Sequence, residues 1–262
     1  PHPPLVPPQL YYDYYTRREE RWSPTHGDWC SSKPAQPGLQ PDANIGPFSL
    51  EAMRNAMSGY YGLVDHIDDS IAFFLGRAFN HGVAGADQPT WIIFTSDHGE
   101  LLGDHGLWFK GPFHYEAILN VPLIMRWPAG LQAGRAVDSP VGLIDIVPSV
   151  LAAAQVAADD SLDGESLLPI ANGTGDCRGE AYVEFVDDPK RLRLRTVVTR
   201  DWKLTWYAGE TFGELYDLAN DPSEFVNRWD DPECAEIKAQ LLARLLNYTE
   251  KNERRETRHT VS

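Results

Sequence analysis

One stretch limits what this chain can become. Trp91-Ile92-Ile93-Phe94-Thr95 is a short run of bulky and β-branched residues that ends abruptly at Ser96-Asp97-His98-Gly99-Glu100. Such a run fits a strand buried on both faces, as in a parallel sheet, and places the chain in the α/β class. Open α/β sheets bind ligands beyond the carboxyl ends of their strands, where these polar residues fall. A carboxylate beside an imidazole can serve one metal ion, because both donate lone pairs and the carboxylate balances charge. Alone, such a pair reads first as a turn cap next to a surface histidine.

The residues that follow change that balance. Gly103-Asp104-His105-Gly106-Leu107-Trp108 is a glycine-bounded turn with a second Asp-His pair, and Lys110 comes just after it. A lysine close to a metal calls for an anion between them, and a phosphate or sulfate satisfies both. Taken in order, SDHGE, GDHGLW, FKG and the later NVPLIMRWP resemble the sulfatase family of the alkaline-phosphatase superfamily. The Asp-His form is most similar to the choline-sulfatase and phosphonate-monoester-hydrolase branch.

The resemblance implies an alkaline-phosphatase-like three-layer α/β sandwich, incomplete here, with a small C-terminal antiparallel α+β subdomain. It implies that Asp97 and His98 ligate a divalent cation, calcium or manganese. A nitrogen ligand shifts the preference slightly toward manganese. Lys110 is then a catalytic and substrate-binding group. The opening PHPPLVPP resembles a family loop whose histidine faces the leaving oxygen, which assigns His2 to catalysis and substrate binding. An imidazolium is suited to protonating a departing alkoxide near neutral pH. His114, close in sequence to Lys110, is a candidate for substrate binding, and a packing role fits it equally.

Read without the resemblance, the Pro-rich opening through Tyr15 is extended or turning, since each proline removes a donor and restricts its predecessor. Thr16 to Pro47 is polar and aperiodic, a long surface loop in which Trp22, His26 and Trp29 either shape an entrance or pack. Phe48 to Asn80 is the clearest helix, with Met53, Met57, Tyr60, Val64, Ile67, Ile71 and Phe74 at three- and four-residue intervals and Ser49 as cap. Asp65, Asp68 and Asp69 fall off that stripe and read as solvent-facing. The resemblance implies that this helix packs on the sheet.

Val121 to Trp127 predicts a second strand, with Pro122 tolerable only near its end. Gly142 to Ala154 predicts a helix that Pro148 breaks or kinks, with Asp145 as a local cap. Beyond Leu162 come four short strands, Glu180–Val186, Arg193–Thr199, Trp202–Tyr207 and Glu214–Leu218, at the spacing of an antiparallel meander. A helix from Pro232 to about Lys251 covers one side of it. The expected organisation is therefore a main α/β domain over 1–160, a sheet-plus-helix subdomain over 161–252, and a charged, frayed tail over 253–262.

The net charge of −15 argues against nucleic acid or an anionic membrane as partner, while the local field of a metal and a lysine still admits a small anionic ester. A homo-oligomer is compatible with the sequence, which does not specify one. The three cysteines, Cys30, Cys177 and Cys234, are far apart and lack CxxC spacing, which favours a reducing, cytoplasmic setting. No apolar run is long enough to span a bilayer. The chain opens at Pro1 without an initiator methionine, and its start reads as the interior of a longer protein.

The family's nucleophile is a formylglycine made within Cys/Ser-x-Pro-x-Arg, and none of the three cysteines, nor any serine, stands in that motif. A hard cation takes about six ligands, more than Asp97 and His98 supply. The expectation is an isolated chain that catalyses nothing, within a complete protein that is a metal-dependent sulfuric ester hydrolase. Phosphonate monoester or phosphodiester hydrolysis and a non-catalytic interaction domain are the alternatives.

Overall fold

The computed structural model describes residues 1–18, 48–85, 88–159, 161–187 and 192–256. Trp22, His26, Trp29 and Cys30 lie outside the described residues, as does nearly all of the predicted loop that holds them. The described residues form two compact, interleaved units. Of the described residues, those before 112 together with 120–129 form one, and 112–119 together with those from 130 onward form the other.

The first unit begins with an arm that departs from its predicted extended course. Its prolines stop at Pro8, and Gln9–Thr16 forms helix α1. A proline constrains only itself and its predecessor, so the tyrosines after Pro8 are free to be helical. They gain partners by it. Tyr11 donates to Asp69 at 2.7 Å and Tyr15 to Asp65 at 2.9 Å. Both pairs are one helical turn apart, so two antiparallel helices match rung for rung. Asp65 and Asp69 thus join the helices instead of merely facing water.

Helix α2 spans Leu50–Asn80, and Ser49 caps it by accepting from the Ala52 N–H at 3.1 Å. Its buried residues are Met57, Ser58, Gly59 and Gly62. A Cβ on Gly59 would collide with the Leu5 carbonyl, and one on Gly62 would lie 2.9 Å from Pro7 Cγ, so these glycines let the arm dock closely. The arm meets α2 along this buried stretch, the Arg126 guanidinium of the second strand lies 5.4 Å from the Phe79 ring near the end of the helix, and Phe73 and Phe74 are exposed.

Strand β1, Ile92–Thr95, pairs antiparallel with β2, Leu123–Arg126, with Ile92 opposite Arg126 and Thr95 opposite Leu123. The expectation of a parallel strand buried on both faces is therefore corrected. Phe94 is 40% and Ile124 62% exposed. An apolar run reports burial potential but carries no information on strand direction. Pro122 falls just outside the ladder. The end of the ladder away from Asp97 is closed by stacked Trp91 and Trp127 rings and a bond from the Trp127 indole to the Pro89 carbonyl at 2.9 Å.

The second unit holds short helices α3 (Glu116–Leu119), α4 (Ile146–Ala153) and α5 (Leu168–Asn172). Pro148 sits in the first turn of α4, where no intrahelical partner is lost, so the helix is not kinked there. Asp145 is more than a local cap. It accepts from the Gly142 and Glu165 N–H groups at 2.8 and 2.9 Å, and its two oxygens each lie 2.8 Å from Arg178 Nη2.

Four antiparallel strands follow in sequence order: β3 (Glu180–Asp187), β4 (Leu192–Thr199), β5 (Trp202–Tyr207) and β6 (Gly213–Asp217). Helix α6, Ala235–Glu256, packs on one face through Leu241 and Leu245 against Val197, Leu204 and Leu215. It extends past the point where the tail was expected to fray. The opposite face is also buried and is mixed, with Thr196, Lys203, Thr205 and Glu214 at 1% exposure or less beside a cluster of Leu192, Leu194 and Tyr207.

Candidate active site

The turn after β1 is built from its own polar groups. Ser96 Oγ donates to the His98 carbonyl at 2.9 Å, and the His98 N–H donates to Asp97 Oδ1 at 3.0 Å. His98 Nδ1 lies 2.8 Å from the Gly99 carbonyl, which can only accept, so the ring proton belongs on Nδ1. Nε2 then presents its lone pair. Lys110 Nζ donates to it at 3.1 Å, and Asp97 Oδ2 lies 3.6 Å from the same nitrogen. The structure thus brings Asp97, His98 and Lys110 together at one point.

The Asp97 side chain is 85% exposed. Its slight burial acts to raise its pKa, but the His98 N–H, the His98 ring and Ser96 outweigh that and hold the carboxyl below its usual range. Glu100 moves the other way, pushed up by burial against the pull of the Leu102 and Phe109 N–H groups. Tyr60 of α2 is raised by its own burial and then by the Glu100 charge, so α2 runs beside the turn.

The loop that returns the chain to Lys110 is closed by two backbone bonds, Leu101 N–H to the Phe109 carbonyl at 3.1 Å and Gly103 N–H to that of Leu107 at 2.8 Å. Leu101, His105, Leu107 and Trp108 are buried, so packing holds it as well. Gly103 and Gly106 take positive φ as their lack of a Cβ allows. Leu102, His105 and Phe109 also take positive φ, at 44°, 52° and 65°, where a side chain is strained.

Two further candidates are His2 and His114. His2 is exposed, with Nδ1 2.8 Å from the Pro3 carbonyl. His114 belongs to the second unit. It is 5% exposed, and its Nδ1 lies 2.6 Å from Thr196 Oγ1, which in turn lies 2.7 Å from Thr205 Oγ1. That contact engages one ring nitrogen of His114 at the sheet. The residue that sequence reasoning passed over is Glu100, and no periodicity or spacing would have singled it out.

One carboxylate and one imidazole nitrogen make part of a ligand set. Their 3.6 Å separation is close to the roughly 3 Å between adjacent ligands of a small divalent ion. Among the described residues no group of three or more His, Cys, Asp or Glu side chains is arranged to hold a metal ion. The two donors fit a cation whose remaining ligands come from elsewhere.

Comparison with known proteins identifies the family. The sulfatase family matches residues 1–156. The chain belongs to that family. A second family, described as N-sulphoglucosamine sulphohydrolase, C-terminal, matches residues 103–251 of this sulfatase chain. It is 32% identical over 253 residues to the uncharacterized sulfatase YidJ of Escherichia coli, covering 96% of this chain and 49% of that protein. It is 31% identical over 244 residues to an arylsulfatase of Clostridium perfringens, covering 90% and 49%. Among solved structures, the phosphonate monoester hydrolase SpPMH of Silicibacter pomeroyi superimposes with a TM-score of 0.78 at 26% identity, covering 96% of this chain and 54% of that one. The fold is the α/β, alkaline-phosphatase-like one, and the chain spans about half the length of the curated relatives it matches.

Proposed function

We propose that this chain is the part of a sulfatase that grips the sulfuryl group, and that the complete protein hydrolyses sulfate monoesters. The supporting observation is the meeting of Lys110 Nζ and Asp97 Oδ2 at His98 Nε2, at 3.1 and 3.6 Å. Asp97 and His98 would hold a divalent cation, which would take the one Nε2 lone pair that Lys110 now occupies, release the ammonium toward the ester, and polarise the ester oxygens. Lys110 places an ammonium against charge that builds on those oxygens as the S–O bond breaks. His2, on an exposed loop, donates a proton to the departing oxygen. The nucleophile and the other metal ligands are assigned to sequence outside these 262 residues.

A second reading is favoured by the likeness to the phosphonate monoester hydrolase, since the same cations stabilise both tetrahedral anions. The two separate on matched substrates. The complete protein should show a higher kcat/KM on 4-nitrophenyl sulfate than on the 4-nitrophenyl ester of phenylphosphonate, and the opposite ratio selects the second reading. Lys110→Ala should lower turnover on the better substrate by more than about tenfold. A smaller loss removes Lys110 from the chemistry.

A further inference from the structure

The groups that no role has yet absorbed include one half-buried carboxylate in the turn itself. Glu100 Oε1 accepts from the Leu102 N–H at 3.2 Å, and the Phe109 N–H also donates to this carboxylate. These two N–H groups lie on opposite arms of the loop that leaves at residue 101 and returns at residue 109. Both belong to non-glycine residues in the left-handed region, with φ of 44° and 65°. Left-handed backbone at leucine and phenylalanine persists only where its surroundings over-determine it. The carboxylate adds to the restraint that the backbone bonds supply, as an acceptor shared by two backbone donors. Phe109 directly precedes Lys110, so what fixes the Phe109 backbone fixes where the Lys110 stem starts.

We propose that Glu100 is a positioning residue, whose carboxylate clamps the two arms of the loop and so delivers the Lys110 ammonium to His98 Nε2. The backbone bonds at 3.1 and 2.8 Å between the arms, and the turn bond from the Asp104 N–H to the Leu101 carbonyl at 2.7 Å across Leu102, set the spacing of the loop without using the N–H of Leu102 or Phe109, which are the two the carboxylate takes. The clamp acts on those two residues directly. A glutamine retains one carbonyl oxygen for these donors, whereas an alanine retains none. The catalytic side of this inference rests on the role given to Lys110 above, but the mechanical side does not.

The test uses the complete protein with Glu100→Ala and Glu100→Gln. Trypsin cleavage at the Lys110–Gly111 bond, followed by mass spectrometry, reads local opening of the loop. Glu100→Ala should raise the rate at that bond at least fivefold while cleavage elsewhere is unchanged, and Glu100→Gln should stay within about twofold of wild type. On the ester that wild type turns over, Glu100→Ala should lower kcat about tenfold with KM altered less than about twofold, and Glu100→Gln should recover most of it. If Glu100→Ala does not fold, Glu100→Asp, which draws the carboxylate back by one methylene, should show accelerated amide exchange at Leu102 and Phe109. Wild-type cleavage or exchange rates in the alanine or aspartate variant overturn the proposal. Should the wild-type protein hydrolyse neither ester, the functional reading fails while cleavage at Lys110–Gly111 still decides whether Glu100 is a clamp.

Discussion

Single side chains divide sharply by whether their role is local in sequence. Asp97, His98 and Lys110 were legible because the motif order pointed to one anion site, and the turn after β1 does gather them. Glu100 was not, because its partners are the backbone N–H groups of Leu102 and Phe109, whose left-handed conformation no sequence pattern announces for leucine or phenylalanine. His114 lay close in sequence to Lys110, yet its ring nitrogen meets Thr196, far along the chain. His2 carries a prediction of its own. A general acid matters more as the leaving oxygen becomes more basic. In the complete protein, His2→Ala should therefore cost less than about tenfold in kcat/KM on 4-nitrophenyl sulfate and about a hundredfold or more on phenyl sulfate. Equal losses on both esters would show that His2 does not deliver the proton.

At the level of elements, periodic segments were read closely and their partners were not. Helix α2, helix α6 and the four-strand meander follow from spacing alone, since each repeats its signal several times over. The direction of β1 and the helicity of α1 depend on what packs against them, and that information sits elsewhere in the chain. The Tyr15–Asp65 rung between α1 and α2 gives a direct check. Burial, then the bond to Asp65, then its negative charge push the Tyr15 phenol from its ordinary 10.0 up to about 12. A phenol that binds its proton more tightly when folded stabilises the folded form fully below pH 10.0, and that contribution is lost as pH rises through about 12. Tyr15→Phe should remove one late-titrating tyrosine from the phenolate absorbance at 295 nm. Asp65→Ala should shift that transition part of the way back, because burial, the larger cause, remains.

At the level of the whole molecule, a cut at residue 160 would look natural from composition, since strands replace helices soon after it. The second unit, however, also includes residues from before that point. Lys203, fully buried on β5, pairs with Glu224 and lies 3.1 Å from Glu116 Oε1, while the Glu116 N–H donates to Glu224 Oε2 at 2.7 Å. Asp145, also buried, receives Arg178 at 2.8 Å. A polypeptide of residues 161–256 would lose Glu116 and Asp145 together, leaving Lys203 with a single carboxylate and Arg178 with none at that site. Removing one partner of a buried ion pair typically costs about 3–5 kcal/mol. Arg178 is that case, and Lys203, which keeps Glu224, loses less, so together they reach the lower end of the roughly 5–15 kcal/mol that holds an ordinary domain folded. Residues 161–256 alone should therefore lack a cooperative thermal transition and near-ultraviolet circular dichroism, even though they contain the entire meander and α6. A polypeptide of residues 112–256 restores both carboxylates and should regain the two signals. Cooperative unfolding of the shorter piece would show that the sheet stands without its ion pairs, and that Glu116 is incidental to it.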